Sequence, residues 1–141
     1  MGYCTQTDIA TAITEEKLID LTDDAGSGSV VASVVTEAIS HADGLIDSYV
    51  SERYTVPLSP VPSVIKSVSV TLAIYWLYRR RREVPDHITQ DRDRQLRLLQ
   101  GIADGKVNLG SATETSSGID GAAAIRPASD RIFDTDSLED F

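Results

Sequence analysis

Apolar residues recur at spacings of three and four from residue 30 onward. Val31, Val34, Val35, Ala38, Ala42, Leu45, Ile46 and Tyr49 form one stripe, which predicts a long helix over about residues 30–53. The β-branched run at residues 30–35 also suits a strand, but the stripe continues unbroken to Tyr49 and decides for helix. Pro57, Pro60 and Pro62 end that helix in a stiff corner. Ser63 is placed to cap a second long helix, roughly residues 64–82. There Val68, Val70, Leu72, Ala73, Ile74, Trp76 and Leu77 cover nearly the whole circumference, the pattern of a buried central helix. It closes on Arg79, Arg80, Arg81 and Arg82, cations that suit a helix C-terminus. Pro85 fits the first turn of a third long helix, to about residue 104. Its buried side is marked by Ile88, Leu96, Leu99, Ile102 and Ala103, with Gly105 as its C-terminal stop.

The ends of the chain pattern differently. Residues 3–24 read as one or two short helices, with Thr5, Thr7 and Thr14 as N-caps and Glu15 and Glu16 in a first turn. Residues 23–29 have the composition of a flexible loop, and residues 106–110 suit a short extended segment. From 110 to 129 the chain is rich in Gly, Ala, Ser and Thr and shows no period, as a linker would. Beyond it lie both phenylalanines. Arg131, Phe133, Leu138 and Phe141 are therefore expected to be the anchors of a partner-binding peptide, the alternative being a tail folded back on its own core. The fold class this predicts is all-α: a small bundle of about four to five helices with a long central antiparallel pair and an extended C-terminal arm. The helical domain takes residues 1–109 and the arm residues 110–141.

Composition narrows the function. A length of 141 residues suits one compact domain with an extension, and 41% hydrophobic residues suffice for a core. With only 6% aromatics the core must be aliphatic, which argues against a large aromatic pocket. A net charge of −9 argues against non-specific attraction to nucleic acid. The charge is also segmented. Residues 1–58 carry 10 acids and 2 bases, residues 59–109 carry 5 and 9, and residues 110–141 carry 7 and 2. Either these blocks neutralise each other within the monomer, or they pair between subunits or leave one acidic surface. Cys4 is the one cysteine, so no intrachain disulfide forms and a reducing cytoplasm is the simplest setting. The N-terminal stretch has neither a secretory nor a myristoylation pattern, and residues 68–78 are too few to span a bilayer, so no membrane role is expected.

Catalytic patterns are missing. His41 and His87 fall on different helices without a Cys or His at metal-ligand spacing. Cys4 has no basic neighbour in sequence to activate it, and no phosphate-cradling glycine motif occurs. Asp134, Asp136 and Glu139 lack the glycine and distant acid of a calcium loop. Asp43 and Asp47 read as a solvated helix face, and the arginine run as a helix end that pairs with acids rather than phosphate. No catalytic residue, cofactor or metal is expected.

The order of these features resembles the Mu-like phage head–tail adaptor family, related in fold to head-completion proteins of other long-tailed phages. The likeness runs through Tyr3, Cys4, Thr5, Asp8 and Ile9, then residues 18–24, and is strongest at residues 42–62, ADGLIDSYVSERYTVPLSPVP. It continues through residues 73–78, residues 96–110 (LRLLQGIADGKVNLG), and Arg131, Ile132, Phe133, Leu138 and Phe141. The resemblance implies a non-enzymatic homo-oligomeric ring of about twelve copies, assembled in the host cytoplasm. The ring would sit at the virion neck, beneath the portal protein and above a tail-completion or tail-tube protein. It also implies an arm reaching a neighbouring subunit. DNA would pass through the ring without specific binding, so a lumen of like charge is expected. Asp20, Asp23, Asp24, Glu37 and Asp43 are the candidate channel-lining residues. The alternative function is a small helical scaffold or regulator that binds a partner through its C-terminal peptide.

Overall fold

A computed structural model of the chain describes residues 2–110, and the architecture is all-α. Five helices follow one another: α1 (Gln6–Ile13), α2 (Glu15–Thr22), α3 (Ala32–Val50), α4 (Ser63–Arg80) and α5 (Asp86–Ala103). The linker and the four C-terminal anchors lie outside the described residues.

Local chemistry sets most helix ends. At α1, the Thr5 hydroxyl accepts from the Asp8 N–H at 3.3 Å and the Asp8 carboxylate accepts from the Thr5 N–H at 2.9 Å, a reciprocal capping box. Thr7 is not a cap; it is the second residue of α1, where its carbonyl accepts from the Thr11 hydroxyl. Thr14 caps α2 from a positive φ of 72°, a kink that lets the second short helix start one residue after the first ends. Helix α3 begins at Ala32 rather than residue 30, because Val31 is extended and its N–H goes to the buried Thr22 hydroxyl at 3.2 Å. Ser63 does not cap α4. Pro62 occupies the N-cap position at φ −63°, and Ser63 is already the first helical residue. Pro85 likewise stands one place outside α5. The end of α5 is a Schellman turn: Gly105 at φ 80° donates to Ile102 O at 3.1 Å and Lys106 to Gly101 O at 2.9 Å. Residues 106–110 then run on without forming a strand.

Helices α3 and α4 form the central pair. His41 meets Trp76 and Asp43 meets Ser69, so numbers rise on one as they fall on the other: the pair is antiparallel. Helix α5 packs against α4, with Arg92 on Tyr75. The α1–α2 hairpin covers the remaining side of α4. Being enclosed on three sides is why α4 is apolar nearly all round. It buries Ile65, Val68, Leu72, Ala73, Ile74 and Leu77. From α3, Val35, Ala38, Ala42, Ile46 and Val50 meet them, and from α5, Leu99 and Ile102. Leu45, read as part of the buried stripe, is instead 38% exposed.

Leu77 has no exposed surface and sits on the enclosed helix. Leu77→Ala is expected to cost about 2–5 kcal/mol, because the rigid neighbours on three sides cannot collapse into the space. Chemical denaturation would read this, and a loss near zero would remove α4 from the centre of the core.

Candidate interaction surfaces

The channel-lining candidates do not form one open acidic face. Asp24 is held by the arginine run: its carboxylate pairs with Arg80 and, at 3.1 Å, with Arg81. Arg81 Nη2 also donates to the carbonyls of Asp20 at 2.8 Å and Asp23 at 3.0 Å. Cations thus close the negative end of α2, and the acidic and basic blocks neutralise each other inside the monomer at this place. The Arg80 guanidinium holds the Asp24 carboxyl below its ordinary value. Asp23 folds the loop after α2, accepting from Gly28 N at 2.7 Å and Ala25 N at 3.2 Å. This turns a stretch of flexible composition into a gathered turn. Among the described residues, the exposed carboxylates of Asp20 and Glu37 form no hydrogen bond or ion pair.

Asp43 and Asp47 are not a solvated face. Asp43 is half-buried and accepts from Tyr3 N at 3.1 Å and from Ser69 Oγ at 3.0 Å. Burial raises its carboxyl above the usual range. Asp47 accepts from the Tyr3 hydroxyl, which in turn accepts the Leu58 N–H at 3.1 Å. Cys4 is buried beside Ser69, 3.2 Å away, with its thiol pushed up by desolvation. The N-terminal residues are thus knotted to α3, to α4 and to the proline corner. Tyr3 lies 40 residues from Asp43, beyond the reach of any local spacing argument.

A second tyrosine makes a matching contact just past the same, C-terminal end of α3. The buried Tyr54 hydroxyl accepts the Leu109 N–H at 3.1 Å, while Arg53 Nη1 donates to Ile102 O at 3.0 Å. Tyr54 therefore fastens the segment after α5.

The remaining feature is a groove of about 300 Å³ between α3, α4 and α5. Leu45, Leu72 and Leu96 line it together with the rings of His41, Tyr75 and Trp76. His41 stacks on Trp76 with centroids 5.1 Å apart, and the Arg92 guanidinium lies 4.4 Å from the Tyr75 ring centre. The low aromatic content hid this groove, because the fold gathers on one face rings that the sequence scatters over 35 positions, from His41 to Trp76. Among the described residues there is no cluster of three or more His, Cys, Asp or Glu that would hold a metal ion. Nor is any described helix long and apolar enough to cross a membrane.

Comparison with known proteins places the chain. The family described as Bacteriophage Mu, Gp36 matches residues 3–125, and the chain belongs to it. Over 131 residues the chain is 28% identical to Gene product J of Escherichia phage Mu, a match covering 92% of each protein. Over 76 residues it is 37% identical to the Mu-like prophage FluMu protein gp36 of Haemophilus influenzae, covering 54% of this chain and 52% of that one. The matched span takes in the Tyr3 knot, the proline corner and the Tyr54 contact.

Burial and the neighbouring Asp47 together push the Tyr3 phenol above its ordinary value of 10.0. Only the neutral phenol suits that position. The stability it contributes is therefore complete below the unfolded-state value, about 10, and is lost as the pH rises beyond it. Tyr3→Phe is expected to lower stability at neutral pH by about 1–3 kcal/mol, since Asp47 and the Leu58 N–H lose their partner. It should also flatten the alkaline fall in melting temperature. An alkaline slope equal to the parent's would show that Tyr3 does not control it.

Proposed function

We propose that this member of the Bacteriophage Mu Gp36 family is a non-enzymatic structural adaptor at the virion neck. About twelve copies form a ring beneath the portal protein and above a tail-completion or tail-tube protein, joining the DNA-filled head to the tail. The supporting observation is the family match, which spans residues 3–125 and so includes the whole described bundle.

The physics of the chain agrees with that role. A ring subunit needs a rigid body, and the bundle is tied around the C-terminal end of α3 by two buried tyrosine hydroxyls that accept loop N–H groups. A genome conduit must not hold DNA, and a chain of net charge −9 repels phosphate wherever its acids reach the lumen. Asp24 and Asp43 are already engaged within the subunit, and Asp23 organises its own loop. Asp20 and Glu37 are then the two channel-lining candidates whose exposed carboxylates are available to DNA. The bundle takes on no catalytic step.

Negative-stain images of the purified chain, alone and bound to heads, should show rings with an axial channel. A monomer or dimer under both conditions would overturn the adaptor and favour a scaffold that works through its C-terminal peptide. In a ring carrying Asp20→Lys and Glu37→Lys, assembly should persist while the lumen gains affinity for DNA, lost again as salt rises. Unchanged DNA retention in intact rings would remove these two residues from the channel.

A further inference from the structure

The groove between α3, α4 and α5 differs in electrostatic character from the neighbouring grooves of the described residues, each of which includes a carboxylate. Its formal charges are all positive: Arg79 and Arg92 line it and no carboxylate does. Arg92 is shared with Asp93, at 2.6 Å. Arg79, unlike Arg80 and Arg81, has no carboxylate within ion-pair distance among the described residues. The comparable groove between α1, α2, α4 and α5 carries Lys17 and Asp91 together and offers no such bias. A cationic groove with an exposed leucine and stacked rings fits an acidic peptide that carries aromatic or aliphatic side chains.

The chain contains one. Residues 130–141 hold five acids against one base, together with Phe133, Leu138 and Phe141. We propose that this segment is the occupant of the α3/α4/α5 groove, its phenylalanines packing on Trp76 and Tyr75 and its carboxylates facing Arg79 and Arg92. Reach supports the assignment. From Leu96 to the end of α5 at Ala103 is about 10 Å at helical rise, and six further residues lead to Leu109. A Gly- and Ser-rich stretch of the length of residues 111–129 spans about 24 Å root-mean-square, close to the match that maximises effective concentration. In a lone subunit the segment meets its own groove; in an assembly it meets whichever groove lies nearer, through the same chemistry. The contact is independent of ring formation, so its test needs no assembly.

Trp76 is the one tryptophan, so its emission and its indole resonance report on the groove alone. In the full chain, Phe133→Ser with Phe141→Ser is expected to red-shift the emission, raise acrylamide quenching and move the indole cross-peak in a proton–nitrogen spectrum. The melting temperature should change little, showing that the bundle remains folded. Adding a synthetic peptide of residues 130–141 to that variant should reverse the shift, with Kd on the order of 10–100 μM and weakening as salt rises. Leu45→Glu in the parent chain should reproduce the red shift, and added to the double variant it should abolish the peptide response. Because Leu45 is exposed, this change leaves the core intact. If emission and indole resonance are the same in parent and double variant, and the peptide moves neither, the groove belongs to another partner and the proposal fails.

Discussion

The arrangement of this bundle depends on one half-buried carboxylate. Asp43 sits on α3 between the N-terminal residues and α4, and takes a hydrogen bond from each. Desolvating a carboxylate is costly unless its oxygens are satisfied, and here the Tyr3 N–H and the Ser69 hydroxyl do so. Satisfying them fixes a geometry: the chain ahead of α1 must lie across α3, and Ser69 must face α3 at that level. Tyr3 then reaches Asp47 and the proline corner from the same position. Apolar burial supplies most of the driving force, but it is non-directional and would tolerate sliding of α3 along α4. The polar knot sets the register.

The three long helices and their burial were legible because hydrophobic period is a local signal. The all-round apolar character of residues 64–82 correctly marked the enclosed helix, and Gly105 correctly marked a stop. Caps were read less well where proline competed with serine: Ser63 has the better side chain, yet Pro62 already holds the extended backbone geometry of that position. Leu45 followed the stripe but misses the core, because it lines the open groove between α3, α4 and α5. Asp43 and Asp47 were misread for another reason. On a helical wheel they are two acids one turn apart, and only a partner from 40 residues away makes them internal.

The candidate site divides along the same line. Attraction between the arginine run and nearby acids was readable from composition, and the choice of Asp24 over its neighbours was not. The groove was invisible in the sequence, since it is made from one face of each of three helices. The resemblance read from the sequence was carried by motifs that prove to be structural: Tyr3, the stretch from Ile46 to Leu58, and the α5 terminus all lie at contacts that hold the bundle together.

The Tyr54 contact has a mechanical consequence. Leu109 is buried at 6% exposure, its N–H is bonded to the phenol of Tyr54 just past α3, and the Schellman turn lies just ahead of it. Tension applied to the chain beyond residue 110 therefore does not first meet the last turn of α5. It meets a clamp in which an apolar side chain and a hydrogen bond must yield together before any helical turn can peel. The load passes through Tyr54 into α3, the longest of the described helices, and from there into the whole core. A subunit built this way can be pulled by one end and answer as a single body.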